Sequence, residues 1–166
     1  RGTNSDLHSG SFGGAVANPG FVLAQLLSQM KDRSGRIKIP GFYDDVRALR
    51  DEERTAFGNL PFNERQYRKD LGAPKLVGER GYTTLERLWA RPTFEVNGLL
   101  AGFTGDGAKT VIPAVSMAKV SMRLVPDQDP ETIGDLFESY LRKVTPKSVE
   151  LKVSRLHGGK PWMTEF

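Results

Sequence analysis

Residues 115–125, VSMAKVSMRLV, alternate with a period of two. Ala118, Val120, Met122 and Leu124 share one side and Lys119, Ser121 and Arg123 the other. That is the pattern of a strand with one covered and one open face. A sheet built of such strands needs a layer on one side only, which points to a two-layer α+β domain. Two segments supply the cover. Asn18 and Pro19 suit the start of a helix over 19–33, in which Val22, Leu23, Leu26, Leu27 and Met30 recur at helical spacing. Asp129 and Pro130 start a second helix in the same way, with Ile133, Leu136, Phe137, Tyr140 and Leu141 as its buried face.

Three further stretches complete the order. The end of a first strand precedes the Gly-rich loop at 10–14, TFEVNGLL at 93–100 alternates weakly, and SVELKVSRL at 148–156 alternates again. Strand, helix, strand, strand, helix, strand is the βαββαβ pattern of a ferredoxin-like sandwich, a four-stranded antiparallel sheet with both helices on one face. In its usual strand order 93–100 lies at an edge. Residues 36–91 break the sequence with a different texture, 12 Lys/Arg and 9 Asp/Glu over 56 residues and few clean apolar periods. They are expected as a charged helical excursion inserted in a single domain spanning 1–166, with short helices in DDVRALRDEERTAF, FNERQYRKDLGA and TTLERLWA.

Composition removes several functions. With no cysteine, the chain has no disulfide frame, no thiolate metal site and no cysteine nucleophile. Its two histidines, His8 and His157, form no metal-binding spacing. The net charge of +4 comes from 24 Lys/Arg interspersed with 20 Asp/Glu, and so predicts no nucleic-acid partner. No 18-residue apolar run exists to cross a membrane, and no basic-then-apolar leader is visible. The expected location is cytoplasmic, and both ends are expected to be cuts through a larger protein.

GFTGDGAKT at 102–110 looks like a phosphate loop, but Ala108 separates Gly107 from Lys109, and Pro113 and a strand stand where the phosphate-facing helix should be. It is read as a Gly-rich connection, or as a loop reaching over a ligand. Ser9 and Ser11 beside His8 suggest a nucleophile pair, yet Asp6 is too near along the chain to orient the base, so that reading is rejected. His8 and His157 suit loop histidines bonded to backbone, and Gly158 and Gly159 could expose N–H groups to an anion. Arg123, on the open face of its strand, is either a solvated arginine or a fork for a carboxylate.

Four stretches go together: DLHSGSFGG (6–14), GAKTVIP (107–113), MRLVP (122–126) and HGGKPW (157–162). In this order the chain resembles the dimerisation, or lid, domain of M20-family metallopeptidases, closest to the carnosinase and cytosolic nonspecific dipeptidase branch. The resemblance implies a parent enzyme that hydrolyses dipeptides or short peptides with two zinc or manganese ions. Those ions belong to a separate catalytic domain flanking the lid, and no cofactor is expected in this chain. It implies a homodimer, paired through edge strand 93–100 and helix 19–33. His8 matches the family histidine that steadies the oxyanion in the partner subunit's site, and Thr110 a substrate-contacting threonine also acting across the dimer. Arg123 matches the arginine gripping the substrate's C-terminal carboxylate, and His157 a further substrate contact. The isolated chain is expected to be inactive. The alternative is a free-standing ferredoxin-like module for small ligands or nucleic acid, but such RNA-binding sheets need exposed aromatics, and the open face at 119–123 has none.

Overall fold

The computed structural model describes residues 1–163. Ten elements follow in order: β1 (Leu7–His8), α1 (Ser9–Phe12), α2 (Pro19–Ser28), α3 (Asp51–Gly58), α4 (Glu64–Asp70), α5 (Thr84–Trp89), β2 (Thr93–Ala101), β3 (Val111–Ile112), β4 (Ser116–Arg123) and α6 (Pro130–Val144). Both long helices start as their sequences dictate. Asn18 Oδ1 accepts the Gly20 N–H at 2.9 Å, and the Asp129 carboxylate accepts the Thr132 N–H at 3.0 Å, each followed by a proline that needs no partner. Helix α2 stops at Ser28, short of the expected 33, because Lys31 and Ile37 close a bridge that turns the chain back.

β2 and β4 pair antiparallel, with Phe94 opposite Met122 and Val96 opposite Val120. The register then shifts, leaving Asn97 as an extra residue, and Leu99 falls opposite Ala118. The bulge explains the weak alternation of 93–100: three steps on β2 match two on β4, so Val96 and Leu99 keep the same face. Met30, Ile37, Ile39, Phe42, Phe94 and Ile133 form the buried core, with Val120, Met122, Leu136, Phe137 and Tyr140 packed around it. Three of those six belong to the charged excursion, whose first residues are thus woven into the core.

The sequence predicts one four-stranded sheet. The described residues hold two two-stranded antiparallel sheets, β1–β3 and β2–β4. Segment 148–156 has no strand in it. An alternating pattern becomes a strand only where a neighbour completes its hydrogen bonds. Here the segment's backbone pairs with a distant strand-like partner only at Arg1 and Glu150 among the described residues, 2.8 Å each way.

The excursion is held by ion pairs that sequence periodicity does not signal. Buried Arg91 grips buried Glu79 with two bonds of 2.8 and 3.0 Å, and Arg36 adds a third at 3.2 Å. Arg36 also lies over the Tyr43 ring and Arg91 over that of Tyr82. Gln128, buried, donates to the Phe42 carbonyl and accepts from the Val125 N–H, tying the excursion to the turn after β4. No buried side-chain nitrogen or oxygen lacks a partner among the described residues.

Candidate functional site

His8 ends β1, and the pairing of His8 with Val111 sets it beside Thr110. Ser9 N–H donates to the Thr110 carbonyl at 3.1 Å, locking the two segments together. The imidazole sits between two hydroxyls: Nε2 lies 3.0 Å from Thr110 Oγ1, and Nδ1 3.4 Å from Ser11 Oγ. A neutral ring satisfies both, one nitrogen donating and the other accepting. His8, Ser11 and Thr110 are all exposed. The Asp6 carboxylate accepts the Ala114 N–H at 2.8 Å and so serves the backbone of this corner.

Arg123 closes β4 at the other end. It points from the open face with Met117, Lys119 and Ser121, all exposed. It takes part in none of the ion pairs found among the described residues. His8 and Thr110 precede the near end of β4, and Arg123 stands at its far end. The strand from Ser116 to Arg123 spans about 23 Å, given roughly 3.3 Å per residue. An extended dipeptide is only about 7 Å long. One chain brings His8 and Thr110 together, and among the described residues no observed bond joins either of them to Arg123, which pairs with Thr93 across the β2–β4 sheet.

His157 is exposed in a segment without regular structure, and the ring meets neither the His8 corner nor Arg123 in any observed bond. Arg155, two residues earlier, fixes the segment to α6. Its guanidinium reaches Asp135 at 2.5 Å, Glu138 at 3.3 Å and Glu131 at 3.5 Å. The Arg142 bond, followed by Arg142 and Arg155 charge, holds the Glu138 carboxyl below its ordinary range. The one signal in the sequence for this anchor is the set of acidic residues at 131, 135 and 138 on one face of a helix.

Residues 102–110 form an open loop leading into β3, with no helix after them, and Lys109 Nζ lies 5.7 Å from the Phe103 ring centre. No phosphate cradle exists there. Among the described residues no three His, Cys, Asp or Glu side chains converge on a point where they could hold a metal. The donor set of the described residues does not fit a dinuclear centre. No helix is long and apolar enough to cross a membrane among the described residues.

The comparisons with known proteins agree with one another. The Cys-Gly metallodipeptidase of Candida albicans is 34% identical over 99% of this chain, which covers 34% of that protein. An M20 family metallo-carboxypeptidase from Sulfolobus solfataricus superposes with a TM-score of 0.77 and 39% identity, covering 85% of this chain and 37% of its own. Human carnosine dipeptidase 1 gives 0.78 and 32%, covering 86% and 30%. The chain thus spans about a third of the length of the relatives it matches. The alternative of a free-standing small-ligand or nucleic-acid module finds no support in these relatives, and β4 carries no aromatic on its open face. A sequence model of the family described as "Peptidase dimerisation domain" matches residues 1–149. The chain belongs to that family, the dimerisation domain of M20 peptidases.

Proposed function

We propose that this chain, 1–166 as one domain, is the dimerisation and substrate-clamping lid of a two-metal, cytoplasmic enzyme that hydrolyses dipeptides or short peptides. The zinc or manganese ions sit in the enzyme's own catalytic domain, consistent with the metallodipeptidase among the relatives. The observation that carries the reading is the separation along β4. His8 and Thr110 share one corner, while Arg123 closes β4 in the other sheet, joins no ion pair among the described residues and bonds to neither of them. A two-fold dimer resolves this, because each substrate then meets Arg123 and His157 of one subunit and His8 and Thr110 of the other.

In this reading His8 Nε2 accepts from Thr110, and the Nδ1–H exchanges its long contact with Ser11 for the oxyanion that forms as the peptide carbonyl becomes tetrahedral, stabilising it more than the ground state. Thr110 orients that ring and the substrate. Arg123 offers its fork to the C-terminal carboxylate. The subunits join through 93–100 and 19–33. Supporting that surface, β2 pairs on one side only among the described residues, and Val96, Leu99 and Phe21 are 45%, 60% and 71% exposed. Two further strands beside the β2–β4 pair would complete the four-stranded ferredoxin-like sheet, and the backbone pair between Arg1 and Glu150 marks where the first residues and 148–156 meet. The test is kinetic, in the full-length enzyme. His8→Ala should lower kcat about 100- to 1,000-fold with little change in KM; an unchanged kcat would contradict the oxyanion role.

A further inference from the structure

Gly10 follows His8 by two residues, inside the single turn of α1. Its backbone is not in the left-handed region, so conformation does not call for glycine there. Space does. A Cβ at position 10 would lie 2.8 Å from His8 Cε1 and 3.2 Å from Nδ1. Beyond its chain neighbours and its own helical turn, those two ring atoms are the only ones such a Cβ would meet within 4 Å among the described residues. The bare α-carbon of Gly10 is a seat for the imidazole. Ser11 Oγ stands by one ring nitrogen and Thr110 Oγ1 by the other, so the ring is bounded on three sides.

We propose that Gly10 is a positioning residue for His8, and that its missing side chain is what lets the ring reach Thr110. The link to catalysis rests on the reading of His8 given above; the link to ring position does not. A methyl group at 10 has a soft obstacle, the end of a side chain free to rotate, so the backbone tolerates it and the ring moves. The fold should therefore survive Gly10→Ala while the His8–Thr110 contact does not.

With two histidines in the sequence, nuclear magnetic resonance of the imidazoles reads His8 directly, with His157 as an internal reference. In Gly10→Ala the His8 ring signals should shift and its proximity to Thr110 disappear, while His157 and the circular dichroism stay as they are. A double-mutant cycle on melting temperature adds a second reading: Gly10→Ala should be less favourable with His8 present than in His8→Ala, where nothing opposes the methyl group and alanine is the better helix former. Persistence of the His8–Thr110 contact, or an equal effect in both backgrounds, would overturn the proposal. In the full-length enzyme a misplaced donor should cost about 100-fold in kcat, with KM little changed and no further loss when Gly10→Ala is added to His8→Ala. If His8→Ala lowers kcat and Gly10→Ala does not, the positioning role is wrong. If His8→Ala itself leaves kcat intact while the ring moves as expected, the oxyanion reading fails and the seat stands.

Discussion

The two ends of β4 are built on opposite principles. At the near end the polar groups are spent on one another: His8 on Thr110 and Ser11, Asp6 on the Ala114 N–H, Ser9 N–H on the Thr110 carbonyl. At the far end Arg123 stands exposed and, like Arg33, Arg65 and Arg80, joins no ion pair among the described residues, whereas Arg91 pairs with Glu79 and Arg155 with three carboxylates. The first arrangement suits a group that must be in place before substrate arrives. The second suits a group whose partner comes from outside. A stiff strand between them sets the spacing.

That comparison can be broken at the spacer, at either end, or nowhere near them. Phe94, buried opposite Met122, anchors the spacer to the core. Phe94→Ala should destabilise the domain by about 3–5 kcal/mol, read as a loss in denaturant midpoint, and should disturb both ends together. Next in size is the near end, where His8→Ala removes about 3–4 kcal/mol of transition-state stabilisation and leaves substrate binding at the far end intact. At the far end, Arg123→Ala removes a charged hydrogen-bond donor worth about 1.5–3 kcal/mol, so KM should rise about 10- to 100-fold. Arg123→Lys should recover part of this, since a point charge replaces a fork.

The smallest effect belongs to the excursion. The Arg50 backbone N–H, with the charge of Arg47 behind it, holds the buried Glu53 carboxyl below its ordinary value of 4.5. A lowered carboxyl stabilises the fold above pH 4.5, and that contribution is lost as pH falls through the lowered folded value. Glu53→Gln should cost on the order of 1–2 kcal/mol near neutrality and flatten the acid limb of the stability profile. It should leave kcat and KM unchanged, because Glu53 serves the start of α3 and neither end of β4.

Periodicity made the frame legible. Asn18, Pro19, Asp129 and Pro130 marked their helix starts, the alternation of 115–125 became β4, and the apolar residues of α6 face the core. What stayed hidden depends on long-range pairing. Glu79 meets Arg36 and Arg91 across the excursion, and Ile37 and Ile39 join a core that a charged segment did not advertise. Residues 148–156 alternate like a strand but find no ladder. The His8–Thr110 contact joins residues 102 positions apart, and no local signal announces it. Each was named by family resemblance; their contact, and the seat at Gly10, came from the fold.

The most direct test of the divided site uses two defective enzymes. A full-length His8→Ala protein and a full-length Arg123→Ala protein are each assayed alone at substrate well below KM, then mixed and allowed to exchange subunits. If His8 acts across the dimer and Arg123 within its own subunit, a heterodimer holds one site with both groups intact and one with neither. Random exchange of two-fold dimers then gives heterodimers in half the population, restoring about a quarter of wild-type activity. If both groups serve the same subunit's substrate, every site keeps one defect, and verified exchange with no recovery would contradict the account.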